Sequence, residues 1–136
     1  MDYSDRKSSV LFGDGATACI IEKGLDLRGL KILDAFVESN PQSYKDVLIP
    51  SHGVFWQNGS RVQKFAISKT VDATKKILKR NNLDINSVQY FIGHQANLRM
   101  LKTAAKKLGI PEKNHLYNVD RFGNQGACGA PSVLAE

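Results

Sequence analysis

The order of helical and extended patterns in the second half of the chain is the feature that most restricts its possible folds. Apolar residues recur at helical spacing from Arg61 to Asn81, and the segment from Ser87 to Ile92 has the composition of a short strand. A second helical pattern covers Asn97 to Leu108, and Leu116 to Val119 is a further strand candidate. Because right-handed crossovers turn a β-α-β-α order into layers, we predict an α/β fold, a mixed sheet with flanking helices.

The first sixty residues are predicted to hold strands followed by a long loop. Ser8 to Glu22 contains two β-rich runs broken by Gly13-Asp14-Gly15, which predicts a bent strand or a hairpin. Leu30 to Glu38 is a third strand candidate. Ser39 to Ser60 has two prolines and scattered aromatic residues without a clear period, so we expect a long loop that packs over something.

The last residues have the pattern of an opening helix. Ala130 to Glu136 is suited to a helix with Pro131 in its first turn. The chain stops before a helix of ordinary length could finish. We therefore expect the fold to be incomplete at its C-terminus.

Composition limits the class of protein. With 136 residues, 42% of them hydrophobic, the chain is long enough for one compact domain. It has no apolar run of eighteen residues and no charged-then-apolar leader, so we expect a cytoplasmic protein without a membrane span.

Cys19 and Cys128 show no metal-ligand spacing with the three histidines, and we expect both to be reduced, with no metal bound. The net charge of +6 admits an anionic partner, but no nucleic-acid-binding motif is present.

Two polar side chains follow the predicted strands of the second half. His94 comes directly after one strand, and Asn124 lies in a glycine-rich stretch after the next. Ligands of open α/β sheets bind beyond the carboxyl ends of strands, where both residues are predicted to lie. An imidazole and a carboxamide can each direct an N–H at one oxygen and so stabilise an enolate or another oxyanion. Without further context, each residue is more often structural: the histidine as a hydrogen-bonded side chain, the asparagine as a turn residue.

Four short motifs supply that context. The chain resembles the C-terminal half of a β-ketoacyl-acyl-carrier-protein synthase III, a condensing enzyme of the thiolase fold. The matching residues are Leu11-Phe12-Gly13-Asp14-Gly15-Ala16, Lys64-Phe65-Ala66, His94-Gln95-Ala96-Asn97-Leu98-Arg99, and Asp120 with Gly123-Asn124.

The resemblance implies a reaction that this chain does not complete alone. Residues 1–136 would be one domain, the half that bears the histidine and the asparagine. The nucleophilic cysteine would belong to an N-terminal half absent here, since neither Cys19 nor Cys128 lies at its position. The whole enzyme would start fatty acid biosynthesis by condensing an acyl group from acyl-CoA with malonyl-acyl carrier protein. Its substrates would be CoA and phosphopantetheine thioesters, with no cofactor, and it would be a homodimer.

The resemblance also assigns roles to residues. His94 and Asn124 would hydrogen-bond the malonyl thioester oxygen during decarboxylation. The acyl carrier protein would dock on basic residues of the second helix and its surroundings: Arg99, Lys106, Lys107 and Lys64. Three further residues would lie in the substrate and CoA channel: Ser60, Gln63 and Asn97.

Two rival functions remain open at this stage. Asn124-Gln125-Gly126-Ala127-Cys128-Gly129 departs from the common bacterial pattern, and so do Ser60 and Gln63. These changes are compatible with a related enzyme of polyketide or other secondary metabolism. The other rival is a non-catalytic carrier-binding or heterodimer-partner domain. His52 and His115 have no evident partner and are predicted to lie on the surface, while Cys128 is predicted to be small and buried.

Overall fold

The computed structural model of the chain describes residues 3–6, 9–23 and 29–136. Within them lie one antiparallel hairpin, four α-helices and five short 3₁₀ turns. The hairpin consists of β1 (Val47–Leu48) and β2 (Trp56–Gln57), and the helices are α1 (Gly59–Arg80), α2 (Leu98–Leu108), α3 (Val119–Phe122) and α4 (Gly129–Ala135). The 3₁₀ turns cover Ser9–Leu11, Pro41–Asp46, Ile85–Ser87, Glu112–Asn114 and Gly126–Cys128.

The long helix predicted from Arg61 to Asn81 is confirmed as α1. It begins two residues earlier because the Asn58 side chain accepts a hydrogen bond from the Arg61 amide, 3.3 Å away, and so caps the helix. At the other end the side-chain Nδ2 of Asn81 donates to the Ile77 carbonyl oxygen at 2.8 Å. Both ends of α1 are therefore set by asparagines next to the helix.

The second predicted helix is confirmed as α2, which builds the core with α1. The Asn97 side chain caps it by accepting from the Met100 amide at 3.2 Å, and Gly109 ends it in the left-handed conformation with φ of 75°. Four residues of α2 are buried: Leu101, Ala104, Ala105 and Leu108. Apart from Leu101, they pack with Val71 of α1, Phe91 and Ile110, and with the partly buried Ile85 and Val88.

The strands predicted in the second half are shorter than the sequence suggested. Ser87 to Ile92 begins in a 3₁₀ turn and forms a single parallel bridge, between Phe91 and His115. The prediction of a strand from Leu116 to Val119 is wrong, because residues 116–118 are assigned to no strand and Val119 already opens helix α3. A strand is assigned only where a hydrogen-bonded neighbour exists, and the pairing on this side is one residue long.

The N-terminal segments have few backbone hydrogen-bond partners among the residues that the structure describes. Phe12 forms a parallel bridge with Asn124, but residues 13–23 form no hairpin among the described residues, and Ser8 lies outside them. Leu30 to Glu38 is not paired as a strand. The long loop predicted from Ser39 to Ser60 is not irregular throughout, because that stretch holds a 3₁₀ turn and the β1–β2 hairpin.

The helix predicted at the end of the chain is present as α4. Among the described residues, no helix combines the length and apolar character needed to cross a membrane. Both cysteines are free thiols; Cys19 is exposed, and Cys128 is partly exposed, where burial was predicted.

Candidate functional site

His94 lies at the end of the extended segment that leads into α2. Its side chain is exposed and lines a cavity of about 50 Å³ between the two long helices. Neither ring nitrogen hydrogen-bonds to a described residue. The rest of the cavity lining is mostly apolar: Ala66, Ile67, Thr70, Ala96, Asn97, Met100, Leu101 and Ala104. The imidazole is therefore available to an incoming group rather than engaged by the fold.

Asn124 is held by its backbone and by one end of its side chain. Its amide donates to the Leu11 carbonyl oxygen at 2.8 Å, and its own carbonyl accepts from the Gly13 amide at 3.1 Å. The side-chain Oδ1 accepts from the Gly126 amide at 3.0 Å. Because Oδ1 is occupied, the orientation of the carboxamide is fixed. Its Nδ2 group, which donates to no described residue, is left as the free end.

Glycines permit the close approach of chain segments around Asn124. A Cβ atom on Gly13 would lie 1.9 Å from the Phe122 carbonyl oxygen, so no larger residue fits there. Gly123 ends α3 with φ of 70°, a conformation that glycine adopts without strain. These contacts explain why glycine stands at positions 13 and 123 of the two matching motifs.

The predicted carrier-binding residues are exposed but do not form one cluster. Arg99 and Lys106 line the same shallow depression on α2. Lys107 is exposed at the end of that helix, whereas Lys64 lines a different groove, beside Arg61 of α1.

The predicted channel residues are also dispersed. Asn97 lines the cavity of His94 and caps α2 at the same time. Ser60 is exposed and Gln63 is half-buried, both in the first turns of α1. Neither of them lines the His94 cavity.

The prediction that His115 lies on the surface is wrong. The residue is 5% exposed, and its ring packs between Phe91 and Tyr117 at centroid distances of 5.6 and 5.1 Å. Burial lowers the pKa of the His115 imidazole, and the charge of Lys102 lowers this pKa further, while Glu112 acts in the opposite direction. His52 is exposed, as predicted.

Sequence reasoning missed the buried polar residues behind the site. Gln95 and Asn118 are both fully buried, and Ser132 of α4 is hydrogen-bonded to Asn118. The Gln95 oxygen accepts from the Asn118 and Val119 amides at 3.0 and 3.2 Å. Gln95 stands inside the matching motif, and that position was the one available hint of its role.

The described residues offer no arrangement for a metal ion. No group of three or more histidine, cysteine, aspartate or glutamate side chains is placed there to hold one.

Comparison of the fold with solved structures gives the class of protein. The β-ketoacyl-[acyl carrier protein] synthase III of Thermus thermophilus superposes on 99% of this chain with a TM-score of 0.82 and 29% identity, and 45% of its own chain is covered. The corresponding enzyme of Pseudomonas aeruginosa superposes on 72% of the chain with a TM-score of 0.68, covering 32% of that structure. The chain is thus a mixed α/β protein of the thiolase fold.

Sequence comparison narrows the class to a family. Residues 78–136 match the family model for the C-terminal domain of 3-oxoacyl-[acyl-carrier-protein] synthase III, and residues 1–49 match the model for 3-oxoacyl-[acyl-carrier-protein] synthase III. The β-ketoacyl-[acyl-carrier-protein] synthases III of Staphylococcus saprophyticus and Rubrobacter xylanophilus are each 37% identical, over 99% and 96% of this chain. The chain belongs to the β-ketoacyl-[acyl-carrier-protein] synthase III family. It spans 43% and 42% of the length of these two relatives.

Proposed function

We propose that this chain supplies the decarboxylating half of a β-ketoacyl-[acyl-carrier-protein] synthase III, with His94 and Asn124 as its two hydrogen-bond donors. The observation that carries the proposal is the arrangement of Asn124. Its Oδ1 is held by the Gly126 amide at 3.0 Å, which leaves the Nδ2 hydrogens as the groups presented to a ligand. The exposed imidazole of His94 offers a second N–H from a different segment.

The proposed role of His94 and Asn124 is to stabilise the negative charge that develops on the thioester oxygen. As malonyl-acyl carrier protein loses carbon dioxide, the bond between the methylene carbon and the carboxylate breaks, and its electrons move onto the thioester oxygen. Two N–H donors aimed at that oxygen stabilise the enolate, and one such donor is worth roughly 10²- to 10³-fold in rate. The enolate carbon then attacks the acyl thioester on a cysteine of the companion half, and the thiolate leaves.

The same proposal includes the partners and the cellular setting of the enzyme. The enzyme is cytoplasmic and homodimeric, it starts fatty acid synthesis from acyl-CoA, and this chain acts only together with its N-terminal half. Arg99, Lys106 and Lys107 on α2, with Lys64 on α1, would receive the acidic carrier protein. Attraction between exposed charges steers such an encounter and weakens with salt, because screening acts over roughly 10 Å. The channel roles of Ser60, Gln63 and Asn97 belong to this proposal as well.

The test separates the two half-reactions in the complete synthase. His94→Ala and Asn124→Asp should each lower malonyl decarboxylation by roughly 10²-fold or more, because each change removes one donor. Asn124→Asp is the sharper variant, since it keeps an oxygen that can accept from Gly126 while losing the Nδ2 group. Acyl transfer from acyl-CoA to the cysteine should stay within about two-fold of wild type, because that step forms no malonyl enolate for the two donors to stabilise.

His52→Ala is the matched control, because His52 is exposed and lies outside the His94 cavity. It should leave both half-reactions unchanged. Equal loss of decarboxylation and acyl transfer in the His94 and Asn124 variants would refute the proposed division of roles.

A further inference from the structure

Buried amide side chains join the segment that carries His94 to the segment that carries Asn124. Resting on the proposed function, we infer that Gln95, Asn118 and Ser132 are positioning residues that fix the two donors relative to each other.

The first link runs from Gln95 to the start of α3. The Gln95 Oε1 atom accepts from the Asn118 and Val119 amides, and its Nε2 group donates to the Gly93 carbonyl oxygen at 2.9 Å. Helix α3 has no side-chain cap of its own, so Gln95 satisfies its first amides from 23 residues away. A fully buried side chain with three hydrogen bonds has one stable position, and the backbone beside His94 is held with it.

Helix α3 continues the link to Asn124. This single turn is closed by hydrogen bonds from Phe122 to the Asn118 oxygen at 3.1 Å and from Gly123 to the Val119 oxygen at 3.0 Å. The turn is therefore a short spacer of fixed length. A displacement of Gln95 at one end is transmitted to Asn124 at the other.

A second link passes through α4. Asn118 Nδ2 donates to the Ser132 hydroxyl at 3.0 Å, and this hydroxyl lies 3.2 Å from Gln125 Oε1 and 2.7 Å from the Gly129 carbonyl oxygen. Gln125, the neighbour of Asn124, donates in turn to the Asp14 carbonyl oxygen at 2.8 Å. The network thus begins next to one proposed donor and ends next to the other.

Close packing leaves this network little freedom. A Cβ atom on Gly129 would lie 2.7 Å from Gln95 Cβ, so the first residue of α4 rests directly on the Gln95 side chain. Donors that stabilise a developing charge must be preorganised, and a misplacement of about 1 Å can cost on the order of 10²-fold in rate. The buried amides supply that preorganisation.

The test is Ser132→Ala in the complete synthase, with Ser132→Thr as the conservative variant. Removing the hydroxyl should lower kcat for malonyl decarboxylation by roughly 10-fold while KM and acyl transfer to the cysteine stay unchanged, because only the donor geometry is disturbed. Ser132→Thr keeps a hydroxyl and should restore most of the rate.

Ser87→Ala is the matched control, because the Ser87 hydroxyl also bonds to a carbonyl three residues earlier, that of Asp84 at 2.6 Å, outside the network. It should leave both half-reactions unchanged. The inference is overturned if Ser132→Ala leaves decarboxylation unchanged, or if it lowers decarboxylation and acyl transfer equally together with the melting temperature.

His94→Ala, assayed in parallel, separates the two proposals. If it abolishes decarboxylation while Ser132→Ala does nothing, the positioning network fails and the proposed function stands. If it has no effect on decarboxylation, the proposed function itself fails, and the inference that rests on it fails too.

Discussion

The apolar side chains of residues 85–136 are more deeply buried than those of the described residues before α1, 9–23 and 29–57. In the later region Leu108 is 6% exposed within the core that α2 shares with α1. In the earlier region Leu33 is 63% exposed and Ile20 is 95% exposed, both in segments without assigned secondary structure. Large exposed apolar areas mark interaction surfaces. The comparison shows that the later region shares an enclosed core with α1, while the earlier region leaves large apolar side chains exposed. We expect another protein surface to cover them.

The backbone of the extended region provides the largest test of this comparison. In the chain alone, amides of residues 14–23 and 29–38 should exchange with solvent at close to the rate of an unstructured peptide, because no backbone hydrogen bond joins them to another described residue. Assembly with the companion half should slow them on the order of 10³-fold as sheet hydrogen bonds form. Hydrogen exchange read by mass spectrometry measures both states, with the amides of α2 as the internal reference.

Strong protection of residues 14–23 in a monomeric preparation of the chain alone would contradict the comparison. We expect the chain alone to self-associate rather than to remain a monomer, and analytical ultracentrifugation would measure its oligomeric state.

A pair of identical substitutions sharpens the comparison further. Leu108→Ala should lower the free energy of unfolding by about 2–5 kcal/mol, because it opens a cavity in the core. Leu33→Ala should cost less than about 0.5 kcal/mol in the chain alone, since its side chain is already in solvent. Denaturant unfolding measures both variants. Comparable losses in the two would show that residues 9–57 have a core of their own.

The smallest expected effect concerns pH. Burial lowers the pKa of His115, so the folded chain favours the neutral imidazole, whereas the unfolded chain binds a proton with a pKa of about 6.5. Below this pH the unfolded state binds more protons, and stability should fall as the pH is lowered from 7 to 5. The buried Nε2 atom has no hydrogen-bond partner among the described residues, so its N–H would have no acceptor in the protonated ring.

His115→Phe should flatten this pH dependence of the melting temperature, because it fills the space between Phe91 and Tyr117 without a titrating group. His52→Ala should keep it, since His52 is exposed. If the melting temperature of His115→Phe depends on pH as strongly as that of the wild type, the loss of stability at low pH comes from the carboxylates instead.

Local patterns predicted the helices well, and nonlocal contacts explain the failures. Helix α2 ends at Leu108 as expected because its asparagine cap and its glycine stop are both adjacent in sequence. The strands were overestimated because a strand depends on a distant neighbour, and Phe91 pairs with His115 over one residue only. The β1–β2 hairpin lacks the short Asn-Gly type of turn that would have revealed it.

The candidate site shows the same division. His94 and Asn124 were found from the motif, while their convergence on one oxygen stays a prediction. Gln95 and Asn118 were not identified as a buried pair, because a polar residue whose partner lies 23 positions away carries no periodic pattern. His115 was misplaced for a related reason: nothing in its neighbourhood indicates that two aromatic rings enclose it.

The bridge between Phe12 and Asn124 has a consequence for the order in which the protein folds. It closes a loop of 112 residues, whereas the bridge between Phe91 and His115 closes one of 24. The longer closure costs about 1.4 kcal/mol more in chain entropy, and contacts of wide sequence separation form late. Asn124 would thus reach its final position only after the helical core has formed. A folding intermediate would therefore be compact before its active site is complete.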